Sequence, residues 1–380
     1  MVNECLNLSE YLNELEYLVN IDSVSSESTG TTKIATFMKN KFVELGWKIQ
    51  EHRFDQSIGP CLEICNSDDE SYDILLLAHM DTVFPVGTAK KRPFVIKGKR
   101  AYGPGVIDCK GGMLSGFYAL KRLQAEGCLA GKSICVFLNS DHEGISSCYS
   151  HAYLEQLALK SRYVVVLEAG RANGNLVNKR KGIGRYHIEI QGKAAHAGVD
   201  HAGGRNAIEE LAHWILALQQ RTDYAKETTL NIGQISGGTS ISAVPAEAKA
   251  ALDIRFYDKV EASDIEQMMQ KMIDKPWIYG TSAKVSGGIT RPAMVPTEKT
   301  LQLCAAVDEI GKELGVSFGW MASGGGSDGS FAAAAGTPTV DGFGPVGGGA
   351  HSDAEYMDID TVIPRYQLLY KTIDYILQKK

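Results

Sequence analysis

Apolar and polar positions follow two textures along this chain. In the first, short unbroken aliphatic runs stop abruptly on side chains able to hold a metal. Leu75-Leu76-Leu77-Ala78 runs into His79-Met80-Asp81, Ser133–Leu138 opens onto Asn139-Ser140-Asp141-His142-Glu143, and Tyr163–Leu167 stops at Glu168. Continuous runs of this kind belong to parallel strands buried on both faces, and the working groups of open α/β sheets lie just past the strands' carboxyl ends. Between the runs, apolar residues recur at helical spacing. One helix, capped by Ser9, carries Tyr11, Leu12, Leu15, Leu18 and Val19; a second covers about Thr31–Leu45 and stops at Gly46. Others follow over Met113–Glu126 and near Tyr149–Leu159.

From about Gly182 to Gly288 the texture changes. Arg185–Gln191 alternates, Gly204–Gln219 is helical, and Thr228–Ile235 and Glu247–Phe256 alternate again, before a helix over Ala262–Ile273 and a strand over Ser282–Ser286. That order is an α+β sandwich with helices on one face of an antiparallel sheet. The first texture then resumes with a helix Glu298–Leu314, an Ala-rich helix, a strand Pro338–Val340 and a closing helix Ile359–Leu377. The expected fold is α/β: a discontinuous domain over 1–181 and 289–380, with a mixed, mainly parallel sheet flanked by helices, and an inserted α+β domain over 182–288.

Composition narrows the partners. The 380 residues carry a net charge of −6, which argues against nucleic acid or an anionic membrane. No stretch approaches the roughly 18 apolar residues of a membrane span. Met1–Leu6 has an early acid and no apolar signal core, so a cytoplasmic location is expected. Cys5, Cys61, Cys65, Cys109, Cys128, Cys135, Cys148 and Cys304 are scattered without C-x-x-C pairs, as expected of reduced, structural thiols.

Candidate chemistry gathers at the strand ends. His79 and Asp81, two apart on an extended chain, project to the same side, where the carboxylate can orient the imidazole. The glycine-rich stretch Gly103–Gly112 has G-x-G-x-x-D where a dinucleotide loop needs a third glycine. A carboxylate there would repel a phosphate, so Asp108 reads better as a metal ligand. A late glycine loop adds His351. Two imidazoles and three carboxylates (His79, Asp108, Glu143, Glu168, His351) suit zinc, cobalt or manganese better than calcium or magnesium. Five ligands exceed the needs of one open tetrahedral zinc and suit a pair of zincs bridged by a carboxylate, with amide or peptide hydrolysis as the implied chemistry.

The ordered motifs HMDTV at 79, GPGVIDCKGG at 103, NSDHE at 139, LEAG at 167, GKAAHAG at 192, SGGGSD at 323 and GGAHSD at 348 span nearly the whole chain. It resembles the dizinc peptidase and deacylase family of acetylornithine deacetylase, succinyl-diaminopimelate desuccinylase and bacterial glutamate carboxypeptidase, the last being closest. The resemblance implies that His79 and Glu168 bind one zinc, Glu143 and His351 the other, and that Asp108 bridges both. It makes the insert a lid and dimerisation domain, whose His196 serves the partner's active site in a homodimer and stabilises the oxyanion. Arg255 would clamp the free carboxylate of a small peptide or N-acyl amino acid, and Gly324, Gly325 and Gly326 would offer backbone N–H groups at a helix start.

One departure matters. Where the family has two consecutive acids, general base then zinc ligand, this chain has His142-Glu143. His142 then accepts the proton itself, or ligates a metal, or marks a weak, substituted or non-catalytic protein that binds an amino-acid-like ligand. A remote rival is a serine hydrolase: Gly325-Gly326-Ser327-Asp328-Gly329 matches G-x-S-x-G, and His351 with Asp341 or Asp353 follows. It would leave the other four donors without a shared task.

Overall fold

A computed structural model describes residues 6–379. Of the amino-terminal stretch read for an export signal, residues 1–5, Cys5 among them, lie outside them. By internal contacts the chain divides into two compact units, one of Met1–Lys179, Val295–Ser323 and Ser327–Lys380, the other of Arg180–Met294 with Gly324–Gly326.

The first unit is built on a six-stranded mixed sheet. In spatial order its strands are Lys48–His52, Cys61–Cys65, Ile134–Asn139, Ile74–His79, Val164–Val166 and Thr339–Val340. The last four run parallel; the first two are an antiparallel edge. All six residues of both Ile74–His79 and Ile134–Asn139 are buried, as unbroken aliphatic runs require. Alternation then sorts them: Leu76, Ala78, Val136, Leu138 and Val165 pack with Tyr11, Leu15, Leu114, Phe117 and Leu368. On the other face Leu75, Leu77, Phe137 and Val166 meet Leu154, Leu157 and Phe331. The sheet is thus the middle of three layers, and only its strand ends are available for polar work.

The second unit is a four-stranded antiparallel sheet in the order Thr229–Gly237, Glu247–Phe256, Gly182–Gln191, Ser282–Arg291. Tyr186, Ile188 and Ile190 alternate inward against Leu211, Trp214, Ile265 and Met269 of the helices Ala207–Gln219 and Lys259–Asp274. The last strand runs past Ser286 to Arg291, paired with Gly182–Gln191 and carrying a register shift at Ile289/Arg291. Alternation is obscured there by Gly287 and Gly288.

Local differences from the sequence expectation have simple causes. The first helix is Leu8–Val19 and its cap is Asn7, whose Oδ1 accepts from the Ser9 and Glu10 N–H groups; Ser9 sits inside the first turn. Asn and Ser are near-equivalent caps, so sequence alone could not choose. No strand was expected between Gly46 and Leu75, where the two edge strands lie. The polar residues Lys48, Gln50 and Glu51 mask the period of the first, and the second, Cys61–Cys65, is only five residues long.

Trp214, fully buried at the centre of the second unit's core, is its largest packed side chain. Trp214→Ala is expected to cost about 3–5 kcal/mol, read as a lowered urea midpoint of the transition that reports on this unit.

Candidate metal centre

Three parallel strands deliver the site. His79 is the last residue of its strand, Glu168 lies two past Val166, and Glu143 sits in the short helix His142–Ile145 just beyond Asn139. Asp108 comes from an irregular turn, Val106–Lys110, non-helical at Asp108 itself, that leads into the helix Gly111–Ala125. That helix can approach the strand ends because Gly112 has no side chain: a Cβ there would fall 1.7 Å from the Leu167 carbonyl oxygen. His351 arrives on the late glycine loop with φ +64°, a left-handed backbone uncommon outside glycine.

The structure brings these five residues together in two groups that share Asp108. His79 Nε2 lies 3.1 Å from Asp108 Oδ1 and 3.5 Å from Glu168 Oε1. The other oxygen, Asp108 Oδ2, is 3.2 Å from His351 Nε2, which is 3.1 Å from Glu143 Oε1. A tetrahedral zinc with bonds of about 2.0–2.2 Å separates its ligand atoms by about 3.3–3.6 Å, so both groups have the right donors at nearly the right spacing. Borderline nitrogen and hard oxygen donors in one set fit zinc, cobalt or manganese.

Electrostatics follow from the crowding. Burial opposes charge on His79, yet Asp108, Asp81 and Glu168 hold its imidazole well above the usual range. Hydrogen bonds to Asp108 and Glu143 push His351 up to about 10. Burial, with the Asp108 charge beside it, raises Glu143. Asp108 itself, despite burial, is held well below the carboxylate range by His351 and His79.

A second layer holds the donors. His79 Nδ1–H donates to the Asp81 backbone carbonyl at 3.0 Å, with the Asp81 carboxylate 3.4 Å away. Asp81 Oδ2 accepts from Ser25 Oγ and from the Glu143 N–H, so one buried carboxylate ties together the two halves of the cluster. Glu355, which the sequence reading did not single out, accepts N–H bonds from Gly105, Ile107 and Asp108 and so pins the Asp108 turn. Burial pushes its carboxyl up to about 7. Arg365, also missed, donates to the carbonyls of Gly174, Gly342 and Gly344. Arg365 stands in the sequence as a charge among apolar helical positions, which was the available signal; Glu355, in the polar stretch Ser352–Glu355, offered none.

His142 is buried, its ring stacked on His79 with centroids 4.2 Å apart and planes at 8°. Its Nδ1 is 3.0 Å from Asp328 Oδ2 and its Nε2 is 3.6 Å from Glu168 Oε1. Asp328 is in turn held by Asn139 Nδ2 and Ser147 Oγ, both at 2.6 Å.

The remaining candidates lie in the second unit. Arg255 forms a fork with Asp253, through Nε at 2.7 Å and Nη2 at 3.0 Å, while Nη1 donates to the Gly324 carbonyl. The carbonyls of Gly325 and Gly326 accept from Arg180. The glycine run is not at a helix start: the next helix, Gly329–Ala334, begins three residues later. His196, exposed, accepts N–H bonds from Gly198 and Val199 at Nδ1, which leaves its proton on Nε2. No serine triad is assembled among the described residues. Ser327 is fully buried, its Oγ accepting from Gly329 N, while His351 Nε2 faces Asp108 and Glu143.

The geometry agrees with what the chain is similar to. Residues 178–280 match a peptidase dimerisation domain of the M20 type. The chain is 29% identical over 360 residues to carboxypeptidase G2 of a Pseudomonas strain, covering 92% of this chain and 85% of that one. It is 25% identical to succinyl-diaminopimelate desuccinylase of an Azoarcus strain, over 95% and 96%. In fold it matches an M20 family metallo-carboxypeptidase from Sulfolobus solfataricus, with a TM-score of 0.73 and 19% identity over 97% and 99%. A dinuclear metal-binding M20 peptidase from Bacillus subtilis matches with a TM-score of 0.70 and 14% identity over 98% and 99%. The resemblance read from the motifs therefore holds.

Two outcomes are expected. At neutral pH the metal-free imidazoles of His79 and His351 hold protons that a metal must displace. Zinc binding at pH 7 should release protons, seen as a binding enthalpy that varies with the ionisation enthalpy of the buffer, and affinity should rise with pH toward 10. Glu355→Gln, which loosens the Asp108 turn, should weaken zinc by about 10–100-fold in a chelator competition while the far-UV spectrum is unchanged.

Proposed function

We propose that this chain, whose sequence relatives and structural neighbours are M20 peptidases and deacylases, hydrolyses the amide bond of a small peptide or N-acyl amino acid and acts as a carboxypeptidase releasing a C-terminal residue. The observation that carries this is the Asp108 carboxylate, whose two oxygens each face a separate imidazole–carboxylate pair. We assign His79 and Glu168 to one metal, Glu143 and His351 to the other, and Asp108 to both. Two zincs there would polarise the scissile carbonyl and acidify the attacking water.

The chain's own groups do the rest. The Asp328 carboxylate, 3.0 Å from His142 Nδ1, favours the proton on that nitrogen and so leaves the Nε2 lone pair turned toward Glu168 and the cluster. In that tautomer His142 takes the proton released on attack and delivers it to the leaving nitrogen, the task of the family's glutamate. His196, with its proton on Nε2, is a ready donor for an oxyanion, in our reading that of the other protomer of a homodimer. The matched dimerisation domain supports that assembly. Arg255, steadied by Asp253, meets the substrate's free carboxylate through its remaining N–H groups. A cytoplasmic setting is part of the same proposal; among the described residues no helix is long and apolar enough to cross a membrane.

A second reading has its own observation. The spacing of 3.6 Å between His142 Nε2 and Glu168 Oε1 also suits two ligands of one metal. The protein would then hold metal and an amino-acid-like ligand without turnover.

The deciding assay compares zinc-loaded wild type with His142→Glu on acylamino acids and C-terminal dipeptides. Under the base reading the histidine form turns over, and the variant stays within about tenfold of it. Turnover by the glutamate form alone would establish the second reading. Activity should also vanish with a chelator and withstand a serine-directed phosphonate. Arg255→Lys should raise KM by about tenfold or more with kcat little changed, because a point charge replaces a fork.

A further inference from the structure

Away from the metal centre, the first unit holds a second group of reactive side chains on the face of the sheet that packs against Leu154 and Phe331. Cys65 and Cys135 stand directly opposite one another on antiparallel strands. The neighbouring pair, Asn66 and Ile134, is joined by a backbone N–H···O bond, so the ladder's alternation makes Cys65 and Cys135 a non-hydrogen-bonded pair. Cα atoms in such pairs lie about 4.5 Å apart, with side chains at their closest. Disulfides span Cα separations of about 4.4–6.8 Å, so this pair can be bridged without moving the strands.

The two thiols are free and unequal. Cys135 is fully buried, and burial pushes its thiol up. Cys65 is partly open, and a hydrogen bond from the Cys135 thiol lowers its own. Cys65 Sγ also lies 3.6 Å from Tyr72 Oη and 4.0 Å from Glu63 Oε1. Glu63 is already engaged, accepting from Tyr153 at 2.6 Å and Tyr72 at 3.2 Å and lying 2.8 Å from His52 Nε2. A carboxylate so occupied is a poor third ligand for a metal between the two sulfurs, which leaves thiol chemistry.

We propose that Cys65 and Cys135 form a reversible cross-strand disulfide when the protein meets a hydroperoxide, Cys65 reacting first and Cys135 resolving it. The Cys65 thiolate attacks the peroxide O–O bond, which breaks to leave a sulfenic acid on Cys65 and, once protonated, an alcohol or water. The Cys135 sulfur then attacks the sulfenic sulfur; the S–O bond breaks and a second water leaves with the Cys135 proton. Two electrons pass from the thiol pair to the peroxide, and a dithiol reductant returns them. The bond ties the sheet's antiparallel edge to the Ile134–Asn139 strand, whose far end carries Asn139 and leads to Glu143.

The test uses the zinc-loaded full chain, treated with equimolar hydrogen peroxide, alkylated, and mapped without reduction. The expected result is a peptide linking Cys65 to Cys135, the loss of two alkylatable thiols, and their full recovery with dithiothreitol. Cys135→Ser should stop at the sulfenic acid, captured on Cys65 by dimedone, and Cys65→Ser should leave Cys135 unreacted. Oxidation confined to the exposed Cys148, a Cys65 linked to any other cysteine, or direct passage of wild-type Cys65 to sulfinic acid would overturn the proposal. So would zinc protecting both thiols from alkylation, which would make them a metal site.

Discussion

Three half-buried carboxylates crowded around two imidazoles, each within 3.1–3.5 Å of one of the rings, are the constraint on which the rest of this structure depends. Asp108, Glu143 and Glu168 sit at a water-poor junction of strand ends, where like charges repel far more strongly than at the surface. Cationic partners must compensate them. In the metal-free chain the imidazoles of His79 and His351 do so, which is why the pKa of each is raised above the usual histidine range. Two divalent ions would do it better, and the ligand spacing suits them.

Such a cluster forms only if the backbone is held against the repulsion, and the surrounding fold supplies that hold. Parallel strands buried on both faces give His79, Glu143 and Glu168 a rigid base. Asp81 bonds the Glu143 backbone while standing beside the His79 ring. Glu355 collects three N–H groups from the Asp108 turn, and Arg365 ties three carbonyls of two glycine loops together. These supporting groups are themselves buried charges, each satisfied by several hydrogen bonds, the condition under which burial of a charge is tolerated.

The departure at His142 fits into this arrangement. An imidazole in place of a carboxylate removes one negative charge from the crowd, and Asp328 lies against the ring nitrogen that points away from it. The stack of His142 on His79 fixes the ring plane. Position and tautomer are therefore set by neighbours far away in sequence: Asp328 is 186 residues on in the numbering of the chain.

The sequence by itself determined the layered α/β fold and the five donors. Unbroken aliphatic runs can be satisfied only by burial on both faces, and a polar residue that ends such a run must emerge at a strand end. The helix spacing and the alternating middle texture were legible for the same reason, since each is a local period. What only the tertiary structure decided is everything that depends on neighbours distant in the chain. Asp108's two oxygens divide between two groups, Arg255's fork closes on Asp253, and Glu355 reaches back to the Asp108 turn. The facing of Cys65 and Cys135 belongs with these, because the register that opposes them is set by pairing between strands distant in the chain. A local pattern can say which side chains leave the core, but only packing decides which of them meet.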